Sequence, residues 1–182
     1  MIAPESPLNE AVRLLALKRT HLLDTSPEER FDRFTRMAKL AFDVPIALVS
    51  LVDEKRQWFK SCQGLEARET PRDISFCGHA ILSDRLFIVE DTHGDSRFAD
   101  NPLVTGPPHI RFYAGAQLRS HEGYRLGTLC LIDTRPRSLD RAQRMLLEEL
   151  ARCVDEEITD FEASKSRQEQ LETPPLLRAL HT

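Results

Sequence analysis

Cys77 and His79 stand two residues apart in the stretch RETPRDISFCGHAIL, residues 68–82. A thiol and an imidazole so close suggest a nucleophile with its base, a metal site, a point of cofactor attachment, or packing. Ser75 reads as a helix N-cap, with the helix running from there or from Ile74 to about Leu82. That puts Cys77 at the second helical position, where unpaired backbone N–H groups and the helix dipole lower a thiol pKa. Residues two apart on a helix point to nearly opposite sides, however, which works against a dyad. Packing is the commonest fate of a small cysteine. The reading adopted is that one of the two faces the core and the other a cavity. For metal binding, His93, His109, Asp91 and Asp95 lie downstream, but no spacing signature joins them to His79, and they read as solvated loop residues. No catalytic residue and no metal ligand is assigned.

Five aromatic residues, Trp58, Phe76, Phe98, Phe112 and Tyr113, come from four predicted elements, the second strand, the middle helix, the lid and the fourth strand, and can ring one cavity. Apolar pockets with a few polar groups are how small ligands are held; the competing reading is ordinary core. The loop RFADNPLVTGPP, which carries Arg97 and Asn101, favours a pocket because it can close over one. The expected ligand-contacting set is therefore Trp58, Phe76, Cys77, His79, Phe98, Asn101, Phe112 and Tyr113. The seven glycines are scattered, and neither a phosphate-binding loop nor a G-x-S-x-G elbow is present, so the residues make no positive case for a kinase, dehydrogenase or hydrolase.

The elements that must position these residues are legible from periodicity. Leu8, Val12 and Leu15 share a face of a first helix. In DTSPEERFDRFTRMAKLAF, Ser26, Pro27 and Glu29 read as a capping box opening a second helix with Phe31, Phe34, Ala38 and Ala41 on its apolar stripe. PIALVSLVDE is apolar on both faces, as a central strand covered on two sides must be, and pairs through the turn DEKR with RQWFKSCQG. RLFIVED is a short strand. The long segment from Thr92 to His109, in which DSRFADNPLV can form one or two helical turns, reads as a lid. HIRFYAGAQLRS alternates, with Ile110, Phe112, Ala114, Ala116 and Leu118 on one face, and pairs with YRLGTLCLID as a hairpin. Ser138 is read as the cap of a last long helix whose apolar positions include Leu139, Leu146, Leu150, Val154, Ile158 and Phe161 and which Thr173-Pro174-Pro175 ends. Its acidic face, Glu148, Glu149, Asp155, Glu156, Glu157, Asp160 and Glu162, reads as solvated. The pattern is an α+β sandwich: one antiparallel sheet, helices on one face and a lid on the other.

Composition bounds the class. With 182 residues and 41% hydrophobic content the chain suits one domain. A formal net charge of −4 argues against nucleic acid as the main partner. No window approaches the ~18 apolar residues of a membrane span, and no signal peptide is recognisable. Four separated cysteines, with no C-x-x-C pair, read as reduced thiols of a cytoplasmic protein. The last helix carries an apolar stripe longer than one small sheet covers, and with the first helix it suggests a four-helix dimer bundle.

The segments LDTSPEERFDRFTRMAKLAFDVPIALVSLVDEKRQWFKS, ETPRDISFCGHAIL, VEDTHGDSRFADNPLV, IRFYAGAQL and GYRLGTLCLID closely resemble bacterial GAF domains, of the kind preceding sensor histidine kinases and diguanylate cyclases. The resemblance spans about residues 22–160, with residues 1–21 as an N-terminal helix and 161–182 as a helical extension and tail. It implies a GAF-like sandwich with a ligand cavity on one face, a floor that includes Phe112 to Gly115, and a helical homodimer interface on the other. It also implies signal transduction rather than catalysis, hence not an enzyme. An unidentified small-molecule ligand and a histidine kinase or diguanylate cyclase partner are expected, with no nucleic acid and no membrane. Members that bind cyclic nucleotides carry N-K-x-(n)-F-x-x-x-D-E, absent here. In bilin-binding members Cys and His are often adjacent, whereas Gly78 separates them here, so no cofactor is assigned. Free methionine sulfoxide reductases share this fold and a similar FCGHA stretch, but their catalytic cysteine lies in the lid, where SRFADNPLV has none. A reductase-like enzyme and a ligand-free dimerisation or adaptor module are the alternative readings. The segment C-terminal to the domain, SKSRQEQLETPPLLRALHT, is too short for a kinase or cyclase, and its prolines would break a rigid helical rod; the standalone reading is favoured.

Overall fold

A computed structural model describes residues 1–83 and 86–172. Thr173-Pro174-Pro175 and the tail LLRALHT lie outside the described residues. Six strands, β1 (Ile46–Val52), β2 (Arg56–Gln63), β3 (Glu69–Pro71), β4 (Phe87–Val89), β5 (Phe112–Arg119) and β6 (Arg125–Asp133), form one sheet in the order β3-β2-β1-β6-β5-β4. Every pairing is antiparallel. Both expected hairpins form, β1–β2 and β5–β6, while β3 lies in a stretch given no element from sequence.

Strand alternation sorts the side chains onto two faces. Ala47, Val49 and Leu51 of β1, Phe112, Ala114, Ala116 and Leu118 of β5, and Leu129 and Leu131 of β6 enter one core. That core is covered by α1 (Glu10–Arg19), α2 (Glu29–Phe42) and α5 (Arg141–Glu172). Ile46, Leu48 and Val52 of β1, with Cys130 and Ile132 of β6, enter the second. It is covered by the short helix α3 (Phe76–Ala80) and by the segment holding α4 (Pro102–Thr105). The helices-on-one-face, lid-on-the-other arrangement is therefore the one the sequence pattern implies. None of the described helices is long and apolar enough to cross a membrane.

Several local readings are corrected. The helix α2 starts at Glu29 after Glu28, without the Ser26 capping box. The reason is Lys60, a buried β2 lysine that donates to Thr25 Oγ1, the Ser26 carbonyl and the Glu28 carboxylate at 2.6–2.8 Å. A buried ammonium demands all three acceptors, so residues 25–28 wrap around it. On α2, Phe42 rather than Ala41 completes the buried stripe. The cap of α5 is Asp140, not Ser138: Asp140 Oδ1 accepts from the Gln143 amide at 2.8 Å and Gln143 Oε1 accepts from the Asp140 amide at 3.0 Å. Ile110 precedes β5 and packs into the lid-side core, away from Phe112. On α5, Leu147 rather than Leu146 is buried, with Val154, Ile158 and Phe161, while Leu146 is exposed; the sheet and α2 together cover the buried part of the stripe that the sequence pattern left without a partner. Leu8, Val12 and Leu15 of the first-helix region remain exposed, with Leu15 at 60%.

Candidate functional site

The lid-side core is the candidate site. Ser75 Oγ accepts from the Gly78 amide at 2.9 Å, capping α3 as its sequence suggests. Phe76 stacks on Phe98 with ring centres 4.1 Å apart and on Tyr113 at 5.2 Å. Phe87 meets Phe98 and Tyr113 edge-on, at 6.2 and 6.0 Å. These rings fill most of the space beneath the lid. What remains is a cavity of about 30 Å³ lined by Gln57, Phe59, Cys77, Leu103, Ile110 and Tyr113 among others. That is room for about one water, against the ~300–1,000 Å³ of small-molecule pockets.

Two polar features break the apolar lining. Gln57 is buried; its Nε2 donates to Thr70 Oγ1 at 2.6 Å, while its Oε1 has no hydrogen-bond partner. Cys77 receives hydrogen bonds from Tyr113 Oη at 3.3 Å and Thr128 Oγ1 at 3.2 Å. Burial opposes ionisation of Cys77, but donors from Cys130, Thr128 and Tyr113 outweigh it and draw its pKa below the usual thiol value. Ser50 Oγ, whose dipole acts in the same direction, forms no hydrogen bond of its own. Cys130 is pushed the other way, by burial and by its neighbour Cys77, so Cys130 keeps its proton. Burial likewise keeps the Tyr113 phenol protonated. Gly115 makes room for this cluster, since a Cβ there would sit 2.5 Å from Tyr113 Oη.

Of the eight residues read as ligand contacts, the fold brings Phe76, Cys77, Phe98 and Tyr113 into this core. Trp58 and Phe112 go to the opposite face, into the helix-covered core. The reason is strand period: Phe112 and Tyr113 are consecutive, as are Trp58 and Phe59, and consecutive residues cannot face one cavity. The floor is correspondingly Tyr113 and Gly115, without Phe112. Asn101 is fully engaged as the N-cap of α4, its Oδ1 accepting from the Leu103 amide at 2.8 Å and its Nδ2 donating to the Ile74 carbonyl at 3.0 Å. It fastens the lid to the approach to α3. His79 lies at the rim, edge-on to Phe98 at 4.9 Å, with Nε2 at 2.9 Å from the Ile2 carbonyl. Burial lowers its pKa, so the neutral ring donates through Nε2. Ile2 in turn donates its amide to the Arg97 carbonyl at 3.1 Å. The N-terminal residues thus strap the lid to α3, and Gly78 lets Pro4 pass, since a Cβ there would lie 2.6 Å from Pro4 Cγ. Sequence reasoning missed Gln57, Phe59 and Leu103. For the first two the signal existed, since positions 57 and 59 alternate with Trp58.

The loop histidines form no metal cluster; among the described residues no group of three or more His, Cys, Asp or Glu is placed to hold one. Asp91 pairs with Arg111 through two bonds of 2.9 Å, and Asp95 with Arg97.

Residues 26–155 match the GAF domain family. The chain belongs to the GAF domain family. Its sequence is 44% identical over 155 residues to the cyclic di-GMP phosphodiesterase PA2567 of Pseudomonas aeruginosa, a match covering 85% of this chain and 26% of that protein. The chain therefore spans about a quarter of that relative's length. Among solved structures, the GAF domain of an Acinetobacter phosphoenolpyruvate-protein phosphotransferase superposes with a TM-score of 0.61 at 17% identity, covering 81% of this chain and 92% of that one. The free methionine-R-sulfoxide reductase of Neisseria meningitidis superposes equally, TM-score 0.61 at 17% identity, over 91% and 98%. At such identities the likeness is one of fold alone. The expectation that the chain is not an enzyme is corrected by the Pseudomonas relative, which is named as a phosphodiesterase.

Proposed function

We propose that this GAF domain is a regulatory domain of cyclic di-GMP signalling, governing a phosphodiesterase activity in response to a small molecule taken up beneath its lid. The observation that carries the reading is the lid-side core itself. It is a closed apolar layer in which two buried polar atoms, Gln57 Oε1 and Ser50 Oγ, have no hydrogen-bond partner, and such atoms call for an explanation; Gln57 lines the cavity. The cavity holds no more than a water as it stands, so a ligand must displace Leu103 and Ile110 outward. Ligand then favours an open-lid state only to the extent of its preference for that state. The ligand set proposed is Gln57, Phe76, Cys77, Phe98 and Tyr113, with His79 and Asn101 holding the lid. A cytoplasmic setting follows from that role.

The same reading has the domain acting as a homodimer, through the exposed stripe Leu8, Val12 and Leu15. A second reading, a dimerisation module with no ligand, is favoured by the small size of the cavity.

Native mass spectrometry of protein purified without additions separates these readings, with extra mass on a dimer expected. Function is tested by putting residues 1–160 in place of the matching segment of the Pseudomonas phosphodiesterase and measuring cyclic di-GMP hydrolysis. The expected result is hydrolysis that changes with Gln57→Leu. A chimera indifferent to that substitution and to removal of the domain sinks the proposal.

A further inference from the structure

The ligand-side core and the long helix α5 lie on opposite faces of the sheet, so regulation requires a physical connection around or through it. The sheet is closed to a direct route by packed side chains, but one edge is different. The short edge strand β4 pairs only with Tyr113 to Gly115 of β5. Gln117 and Arg119 lie beyond it, beside a cleft of about 320 Å³ bounded by Leu86, Ala116, Ala151 and Asp155.

A continuous hydrogen-bonded chain runs along that cleft. Gln117 Nε2 donates to the Ala80 carbonyl at the end of α3 at 2.9 Å, and also to the Ser83 carbonyl. Gln117 Oε1 accepts from Arg119 Nη2 at 2.8 Å. The Arg119 backbone amide donates to Asp155 Oδ1 of α5 at 2.8 Å. Partners on both ends fix the orientation of the Gln117 amide, since carbonyls accept only and guanidinium donates only. The β5–β6 register shifts between Leu118 and Arg119, and such an irregularity re-aims backbone groups.

We propose that Gln117, Arg119 and Asp155 are positioning residues that couple α3, which carries Phe76 and Cys77, to the output helix α5 around the β4 edge. The proposal rests on the regulatory reading above. Movement of α3 on ligand entry shifts the Ala80 carbonyl and the Gln117 amide bonded to it; Gln117 holds the Arg119 guanidinium, and the Arg119 backbone amide passes the shift to the α5 turn through its bond to Asp155. Contiguity alone does not prove coupling, so the test must read one end of the chain while the other is altered.

Amide hydrogen exchange on the full chain does this. In Asp155→Ala, exchange is expected to rise about tenfold at Ile81 to Ser83, on the other face of the sheet, as well as at Arg119. In Gln117→Glu, which can still accept from Arg119 but cannot donate to Ala80, exchange is expected to rise around residues 152–158 of α5. Asp155→Asn, which keeps the acceptor, restores wild-type exchange at Ile81 to Ser83. A rise confined to the altered end in both variants overturns the proposal. Should Asp155→Ala fail to fold, Gln117→Glu decides alone, because Gln117 is only half-buried. Coupling without any ligand-induced mass shift would sink the sensing reading and leave this one standing; local effects with a bound ligand would do the reverse.

Discussion

At the scale of single residues, Asp155 offers the sharpest pH dependence. Burial pushes its carboxyl up to about 7, with Glu156 adding to the rise while the Arg119 amide and guanidinium oppose it. Glu148, Arg152, His121 and Asp160 line the adjoining clefts. Between the ordinary carboxylate range and pH 7 the folded protein holds a proton that the unfolded chain releases. Stability therefore falls as pH rises through that window. Asp155→Asn removes the dependence, so denaturant unfolding should show the variant gaining on wild type from pH 4 to 7, by about 3–4 kcal/mol, with a constant difference above. A second residue-level contrast separates packing from recognition. Phe112→Ala should cost about 3–5 kcal/mol of stability as a core truncation, because its ring lies among the helix-side residues. Gln57→Leu removes an unpaired buried acceptor together with the Nε2 bond to Thr70, two effects of opposite sign that should leave stability within about 1 kcal/mol of wild type, while abolishing recognition of any ligand that donates to it.

At the scale of elements, the lid is tied down at two places. Asn101 caps α4 and reaches Ile74, while the N-terminal strap joins Arg97 to His79 through Ile2. Asn101→Ala should cost about 1–2 kcal/mol and raise hydrogen exchange across residues 98–106 more than elsewhere. Exchange rising equally over the whole chain would mean that Asn101 supports the fold rather than the lid. The boundaries of these elements show what local pattern can and cannot deliver. The Ser75 cap was legible because its acceptor and donor lie three residues apart. The Ser26 box was not realised because Lys60, distant in sequence, takes the same segment as its ligands.

At the scale of the whole molecule, the prediction concerns assembly. Val12 and Leu15 are exposed on α1, and Leu8 just before it, whereas Arg13, on the other side of α1, is buried and bonded to Glu10 at 2.7 Å. Glu10 also meets Arg72, so the two guanidiniums draw its pKa down to about 2 despite the burial that opposes this. That inner face fixes the helix, and the exposed outer face is the one proposed above for the homodimer. Val12→Glu with Leu15→Glu should turn a dimer into a folded monomer by light scattering after size exclusion, with the thermal transition kept; an unchanged mass would place the interface elsewhere.

The sequence by itself determined five of the six strands, the hairpins, the α3 cap and the family, because periods of two and 3.6 and short-range capping are local properties of the chain. It also marked Phe76, Cys77, Phe98 and Tyr113 as companions. Only the tertiary structure decided which side of the sheet each aromatic occupies, turning Trp58 and Phe112 away from the lid and Gln57 and Phe59 toward it. A one-residue step in strand phase reverses the face, and that phase is set by pairing with strands distant in sequence. The stripe on α5 found its cover within the chain for the same reason: α2 and the sheet meet it only once the fold is closed.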